Sequence, residues 1–366
     1  MKVLHIITRM NTGGPAVFLD HLTKSMADLG TTSIIAYGYC ESNETDYTDT
    51  HKLSADLIKV ESLHRSLSPI SDIKSIFQII KIIKTQKPDL VNTHTSKAGV
   101  LARLATKFVN RRTPVVHTFH GHLIYGYFSK LKIFILILIE KNMARFTDAF
   151  ACITKETQDS LKNLGIGPKR SWCVIRLGIP VYSKTMLSEK NSNKTTLLWV
   201  GRFTAVKDPE YAISVMKELE FKVPGQFELV MIGGGEQLER CKSLSNNLPV
   251  KFHGWMNNPF DRVVNFDLLI LTSKNEGMGL VMLEAANHNR ATVAREVGGI
   301  NEFLIDGVNG CLINGDAKQM AHAISTLTYD QIQLMGKKAK EILEKDFNSV
   351  RMAADYQKLY ESLIVS

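Results

Sequence analysis

Short apolar segments rich in β-branched residues alternate along the chain with longer segments in which apolar residues recur at helical spacing. This alternation is typical of βα units, in which helices connect the strands of a parallel sheet. Residues 70–83 form one such helix, and its spacing predicts a single buried stripe of Ile73, Ile76, Ile80 and Ile83. The predicted strands are 3–7, 33–39, 57–60, 90–93, 115–119, 149–153, 173–176, 197–200, 229–232, 250–252, 268–271, 292–294 and 311–313.

A polar segment without apolar periodicity, residues 183–194, interrupts this pattern. It predicts a linker between two βα domains, residues 1–182 and 195–345. Because ligands of parallel sheets bind at the carboxyl ends of the strands, we expect the functional residues there, in a cleft between the domains.

Composition excludes several classes of protein. The 366 residues are 44% hydrophobic and 22% charged, which is ordinary for globular domains and excludes disordered and fibrous architectures. The five cysteines contain no C-x-x-C pair, which argues against a disulfide framework or a zinc site. The longest apolar run, residues 133–139, is far shorter than the ~20 residues of a spanning helix, and no secretory signal is expected.

Four junctions between strand and helix contain glycines, at residues 11–14, 233–235, 277–279 and 298–299. None has the spacing of a dinucleotide-binding fingerprint or a P-loop. Each can be a plain tight turn or a cradle for an anionic ligand, since the first N–H groups of a helix are unpaired.

Glu276 and Glu284 flank the start of a predicted helix after the strand 268–271. Both carboxylates can face one ligand, one on sugar hydroxyls and the other on a ribose diol. The alternative is a carboxylate at the helix N-terminus and a solvated glutamate. Arg202 and Lys207 follow the strand 197–200 and can clamp a diphosphate, although either can also be an ordinary surface cation.

Histidines cluster at the end of the strand 115–119, where His117, His120 and His122 follow one another closely. With His94 they suggest a metal site, but strand alternation separates His117 from His120 and no carboxylate joins them. A single functional histidine, His120, is the favoured interpretation, and no metal is expected.

These motifs together resemble the large family-4 glycosyltransferases. The C-terminal half carries G-R-F-x-x-V-K-D-P, N-E-G-M-G-L-V-M-L-E-A-A and V-G-G-I-N-E-F-L-I-D-G-V-N-G. The N-terminal half carries T-G-G-P-A, N-T-H-T-S-K-A-G-V-L-A-R-L-A and V-H-T-F-H-G-H in the family's order. The resemblance runs from Met1 to about Gly310.

The resemblance implies a GT-B fold, with two Rossmann-like domains facing across a cleft and a C-terminal helix, residues 346–366, packed back on the first domain. It also implies sugar transfer from a nucleoside-diphosphate donor with retention of configuration, without an essential metal or a further cofactor. In the donor site that the resemblance implies, Arg202 and Lys207 would bind the diphosphate and Glu276 would bind the hydroxyls of the sugar. Glu284 would bind the ribose. Backbone N–H groups would contact sugar and phosphate from Gly277, Met278, Gly279 and Leu280. Gly14 would allow close approach of the first loop, and His120 would lie beside the sugar. Sugar preference stays open, because the family often has Phe at the position of Met278.

The net charge of +9 belongs to the first half of the chain, since residues 1–180 carry +10 and residues 181–366 carry −1. Nine cations and one acid lie between Lys74 and Arg112, and an aromatic segment with lysines precedes the run 133–139. This pattern favours an anionic membrane surface over a merely solvated face, and no nucleic-acid motif accompanies it.

The leading hypothesis is therefore a UDP-sugar-dependent transferase that extends a bacterial surface glycan on a polyprenyl-diphosphate carrier, at the cytoplasmic face of the membrane. Two alternatives stay open: a hydrolysing UDP-sugar 2-epimerase of the same fold, and a non-enzymatic basic module that binds membranes.

Overall fold

The computed structural model describes residues 1–42, 44–121, 129–182, 194–256, 258–263 and 265–365. The chain forms two compact units. The first holds the described residues up to Pro180 and those from Phe347 onward, and the second runs from Val181 to Asp346. The predicted linker, residues 183–194, lies outside the described residues apart from Lys194.

A parallel sheet of seven strands forms the centre of the first unit, in the order β3-β2-β1-β4-β5-β6-β7. Its strands are β1 (Lys2–Arg9), β2 (Thr32–Gly38), β3 (Asp56–Lys59), β4 (Leu90–His94), β5 (Val115–Phe119), β6 (Ala149–Cys152) and β7 (Ser171–Val174). Its helices are α1 (Gly14–Asp28), α2 (Pro69–Gln86), α3 (Ser96–Val109), α4 (Lys130–Met143) and α5 (Lys155–Asn163), with 3-10 turns at Tyr47–Asp49 and Ala144–Phe146.

A second parallel sheet, of six strands, forms the second unit in the order β10-β9-β8-β11-β12-β13. Its strands are β8 (Thr195–Val200), β9 (Phe227–Ile232), β10 (Val250–His253), β11 (Leu268–Leu271), β12 (Ala291–Arg295) and β13 (Gly310–Ile313). Its helices are α6 (Pro209–Lys222), α7 (Leu238–Leu244), α8 (Pro259–Arg262), α9 (Leu280–Asn287), α10 (Ala317–Thr326) and α11 (Tyr329–Asp346), with a 3-10 turn at Gly298–Glu302.

The last helix, α12 (Ser349–Ile364), belongs to the first unit. Its tyrosines reach the centre of the first sheet, where Asn92 Nδ2 donates to the Tyr360 hydroxyl at 2.6 Å. At the start of the helix, Ser25 Oγ of α1 donates to Ser349 Oγ at 2.9 Å. Buried polar contacts therefore fix α12 on this sheet in addition to apolar packing.

Both sheets reverse their strand order at one point, between β1 and β4 and between β8 and β11. The loops that leave two such neighbouring strands diverge to opposite sides and open a crevice at the carboxyl ends. Each unit therefore has one place where the topology favours ligand binding.

The predicted stripe of α2 is wrong at its first position. Ile73 is 56% exposed, whereas the buried side chains of the helix are Ser75, Ile79, Ile82 and Ile83. Apolar residues occur almost all round this helix, so periodicity alone did not determine which face packs against the sheet.

Candidate functional site

Two loops leave the second sheet at its point of reversal. The β8–α6 loop comprises residues 201–208, and the β11–α9 loop comprises residues 272–279. Their parent strands are hydrogen-bonded neighbours, paired from Leu268 to Leu197 and from Leu269 to Leu198. The predicted residues Lys207 and Glu276 are thus brought to the same edge of the sheet.

Glu276 and Lys207 are in direct contact. Lys207 Nζ donates to Glu276 Oε1 at 2.5 Å, and Ser273 Oγ donates to the same oxygen at 2.7 Å. Oε2 accepts from no residue that the structure describes, although the glutamate as a whole is only 9% exposed. One oxygen of the carboxylate is therefore fixed by the protein, and the other is available to a hydroxyl donor on a ligand.

The two loops are also joined through buried polar groups beneath this contact. Thr272 Oγ1 lies 3.0 Å from the carbonyl oxygens of Lys207 and Asp208 and accepts from Trp199 Nε1 at 2.9 Å. The backbone N–H of Lys274 donates to a carbonyl of the β8–α6 loop at 2.8 Å. These contacts hold the lysine and the glutamate in place before any ligand binds, which is what electrostatic preorganisation requires.

Arg295, at the end of β12, supports the same loops from the next strand. Its Nη1 donates to Asp208 Oδ2 at 3.0 Å, and its guanidinium lies 4.6 Å from the centre of the Tyr211 ring. Asp208 itself is held at φ 48°, directly before Pro209. Sequence analysis did not identify Arg295, Thr272 or Ser273, although Thr272 and Ser273 directly follow a buried strand and so had a positional signal.

Two of the four glycine junctions support these loops by close packing. A Cβ on Gly298, whose φ is 58°, would lie 1.9 Å from the carbonyl oxygen of Glu276. A Cβ on Gly233 would lie equally close to the carbonyl oxygen of Gly201. At both positions a side chain is excluded because backbone passes against backbone. These glycines shape the site through contact with its loops.

The remaining predicted residues of this unit surround the pair. Arg202 is exposed and forms no ion pair with a described residue. Glu284 is half-buried on the first turns of α9. Met278 is 1% exposed as a whole residue, so its side chain is buried in this structure. Gly279, at φ 83°, is the residue before α9, and its carbonyl oxygen accepts from the N–H of Met282 at 2.9 Å. The other N–H groups at the start of a helix have no partner within it.

The first unit places Gly14 and His120 on loops after β1 and β5. Gly14 is the exposed first residue of α1. One turn further along that helix, the Phe18 ring packs edge-on against the half-buried His120 ring, 4.7 Å between centres. Thr95, after β4, adopts φ 62°, a strained value for a β-branched residue and one that concentrates at functional sites.

The predicted histidine cluster separates into two environments. His120 Nε2 lies 3.0 Å from His94 Nδ1, and His94 Nε2 lies 3.2 Å from Nδ1 of His5, a residue that sequence analysis did not identify. His117 instead contacts Thr93 Oγ1 through Nδ1, at 2.8 Å. His122 lies outside the described residues, among which no group of three metal-binding side chains is arranged to hold an ion.

Burial sets the protonation of the three linked rings. It lowers the pKa of His5 to about 3 and the pKa of His120 to about 4. Burial, followed by the neighbouring His120 and His5, lowers the pKa of His94 well below its usual range. All three imidazoles are therefore neutral at pH 7, so each has one N–H donor and one bare acceptor nitrogen.

Comparison with known proteins shows similarity over both units. The family described as "Glycosyltransferase Family 4" matches residues 12–181, and "Glycosyl transferases group 1" matches residues 194–330. An Escherichia coli relative, UDP-Gal:alpha-D-GlcNAc-diphosphoundecaprenol alpha-1,3-galactosyltransferase, is 28% identical over 88% of this chain and 87% of its own. A Campylobacter jejuni relative, N,N'-diacetylbacillosaminyl-diphospho-undecaprenol alpha-1,3-N-acetylgalactosaminyltransferase, is 24% identical over 88% of this chain and 90% of its own.

Solved structures share the fold over nearly the whole chain. Anabaena HepE in complex with UDP and glucose gives a TM-score of 0.81 at 19% identity, covering 99% of this chain and 100% of that one. Sucrose-phosphate synthase from Thermosynechococcus elongatus gives 0.81 at 18% identity, covering 100% and 99%. The predicted α/β architecture of the GT-B type, with two Rossmann-like sheets, is confirmed.

Proposed function

Because the chain belongs to glycosyltransferase family 4, we propose that it transfers a sugar from a UDP-sugar to a glycan linked to a polyprenyl diphosphate, with retention of anomeric configuration. The observation that carries this proposal is the contact of Lys207 with Glu276 where the second sheet reverses its order. The similarity to enzymes named for undecaprenol-linked acceptors, and to a structure with UDP and glucose, supports the choice of donor and acceptor.

In the proposed donor site, Lys207 and Arg202 face the diphosphate. Arg202, which forms no ion pair with a described residue, is available as a bidentate donor, and Lys207 supplies a point charge. Glu276 Oε2 accepts from a sugar hydroxyl, the backbone from Gly277 to Leu280 donates to sugar and phosphate, and Glu284 binds the ribose. The reaction proceeds by electrostatic stabilisation of the departing diphosphate, without a metal ion.

In the proposed acceptor unit, Gly14 lets the first loop approach the substrates and His120 lies beside the transferred sugar. The product extends a surface polysaccharide. No contact among the described residues favours the 2-epimerase alternative, which involves proton abstraction at a carbon of the sugar. Glu276 has one oxygen held by Lys207 and Ser273 and one oxygen that accepts from no described residue, and this arrangement suits a hydrogen bond from a sugar hydroxyl.

Nucleotide binding provides the first test. A ligand at one hundred times its Kd stabilises a protein by about 2.7 kcal/mol, so saturating UDP is expected to raise the Tm by several degrees. Lys207→Ala and Arg202→Ala each reduce that shift, and Lys242→Ala, on the exposed surface of the same unit, leaves it unchanged. Unchanged Tm values with UDP and with the other nucleoside diphosphates would contradict the donor site.

We further propose that the first unit binds the cytoplasmic face of an anionic membrane. The main observation behind this proposal is the set of exposed apolar side chains on α4. Four of its apolar side chains are between 47% and 69% exposed at helical spacing: Leu131, Phe134, Ile135 and Leu138. Lys130, Lys132 and Lys141 lie on the same helix, and all three are exposed. The buried residue of this helix is Glu140, which pairs with Arg103 of α3.

The basic surface is smaller than the sequence predicted. Three of its nine cations form ion pairs within the unit: Lys97 with Asp72, Arg103 with Glu140, and Lys107 with Asp148. Six cations are exposed: Lys74, Lys81, Lys84, Lys87, Arg111 and Arg112. No helix within the described ranges is long and apolar enough to cross a membrane. The exposed stripe of α4 and these cations together suit attachment to one leaflet.

Flotation with phosphatidylglycerol vesicles tests the membrane proposal. Burial of a Phe or Leu side chain contributes about 1.5–3 kcal/mol, so Phe134→Ser combined with Leu138→Ser is expected to weaken binding at least tenfold. Phe221→Ser is the matched control, because Phe221 is 87% exposed on α6 of the second unit. Equal binding of the wild type to neutral and anionic vesicles, or no effect of the double substitution, would refute it.

A further inference from the structure

Three neighbouring strands of the first sheet place three histidine rings in a line. His5 lies within β1, His94 ends β4 and His120 follows β5. Hydrogen bonds connect the rings in series, Nδ1 of His5 to Nε2 of His94 at 3.2 Å and Nδ1 of His94 to Nε2 of His120 at 3.0 Å. The first two rings are fully buried and the third is half-buried, so the line runs from the core to the ligand side of the sheet.

Only two arrangements of protons satisfy both hydrogen bonds when all three rings are neutral. In one, every ring carries its proton on Nδ1, so His5 donates to His94 and His94 donates to His120. In the other, every ring carries its proton on Nε2 and the direction of donation is reversed. The tautomer of the last ring is thereby coupled to that of the first.

The inner end of the line distinguishes the two arrangements. His5 Nε2 is buried and has no hydrogen-bond partner among the residues that the structure describes. With protons on Nε2, a buried N–H would be left without an acceptor among the described residues, which native structures rarely tolerate. With protons on Nδ1, the same atom is a bare nitrogen, and both inter-ring hydrogen bonds are still made.

We propose that His5 and His94 are positioning residues that hold His120 in its Nδ1–H tautomer, so that His120 meets its ligand as a hydrogen-bond donor. Nδ1 of His120 forms no hydrogen bond with a described residue. A neutral N–H there can donate to an uncharged hydroxyl oxygen, as a sugar offers. The role of His120 towards a sugar rests on the proposed function, whereas its tautomer does not.

Long-range ¹H–¹⁵N NMR of the full-length protein reads the tautomer of each imidazole directly. The His120 signals are assigned by their loss in His120→Gln. In the wild type we expect a protonated Nδ1 and a bare Nε2. In His5→Leu, His94 loses its donor, and we expect His120 to become a mixture of tautomers. His5→Asn keeps an amide donor near the position of Nδ1, and we expect it to restore the wild-type pattern.

A proton on Nε2 of His120 in the wild type, or an unchanged tautomer in His5→Leu, would overturn the proposal. If His5→Leu does not fold, the wild-type spectrum alone decides. In a transfer assay, loss of one neutral hydrogen bond corresponds to roughly a 2- to 12-fold lower kcat/KM for His5→Leu, with recovery in His5→Asn. Failure to find any transfer would refute the proposed function and leave the NMR result valid.

Discussion

Replacing Glu276 by glutamine removes one charge from the site and keeps its shape. In the structure Oε1 is occupied by Lys207 Nζ and Ser273 Oγ, and Oε2 accepts from no described residue. The amide oxygen of glutamine can still accept from both neighbours, whereas its NH2 group cannot accept from a ligand hydroxyl. The substitution therefore removes the proposed contact with the sugar and leaves the support of the loop in place.

The expected loss follows from the strength of that contact. A hydrogen bond to a charged group contributes about 1.5–3 kcal/mol. At about 1.4 kcal/mol for each factor of ten, Glu276→Gln lowers kcat/KM for the nucleotide sugar by about 10- to 150-fold.

The assay measures release of UDP in the presence of a saturating acceptor. Glu239→Gln is the matched control, because Glu239 also pairs with a lysine in the second unit but is exposed. Circular dichroism and the Tm establish that each variant is folded. A folded Glu276→Gln enzyme with kcat/KM within twofold of the wild type would refute the assignment of Oε2 to the sugar.

Three further predictions concern stability and the shape of the site. Glu140→Gln keeps one oxygen acceptor for Arg103 Nη2 but removes the charge that pairs with this buried guanidinium, so the free energy of unfolding in urea is expected to fall by about 3–5 kcal/mol. Partial recovery is expected when both residues are made apolar, and a loss below about 1 kcal/mol would show that the pair is not desolvated. Gly298→Ala is expected to reduce the free energy of unfolding by at least about 1 kcal/mol and to lower the rate of transfer, because its Cβ would meet a carbonyl oxygen of the β11–α9 loop. Gly254 faces open space, so the control Gly254→Ala should change the free energy of unfolding by no more than about 0.5 kcal/mol. The free energy of unfolding is expected to decrease as the pH is lowered from 6.5 to 4, because histidines of the unfolded chain bind protons in this range and the buried histidines of the folded chain do not. His94→Gln should reduce the slope of this free energy against pH by up to about 1.4 kcal/mol per pH unit. An unchanged slope would show that His94 is protonated in the folded state.

The fold could be predicted because buried parallel strands have a strong local signal. Each of the thirteen predicted strands has a counterpart in the described parts of the chain, with ends that differ by at most two residues. β8 begins at Thr195, for example, two residues before the predicted start, since its first positions are polar. The buried face of α2 could not be predicted, because apolar residues on several faces of that helix give more than one possible stripe.

The site could be predicted only where a residue belongs to a local motif. Lys207 and Glu276 are in motifs, and the structure brings them into contact across two loops. His5 was not identified, because one polar residue in an otherwise apolar strand has no spacing to indicate its partners. Arg103 is one of the nine cations between Lys74 and Arg112 that were assigned to a basic surface. Its buried pairing with Glu140 could not be predicted, because the two residues are distant in sequence and no motif connects them.

The chemistry of the product tests the central claim most directly. The purified protein is incubated with a panel of UDP-sugars and a polyprenyl-diphosphate-linked glycan, and NMR then determines the anomeric configuration of the new bond. We predict transfer from one of these donors with the donor's α configuration retained, together with release of UDP. A product of inverted configuration, a free sugar epimerised at C2, or no UDP release from any donor would contradict the account.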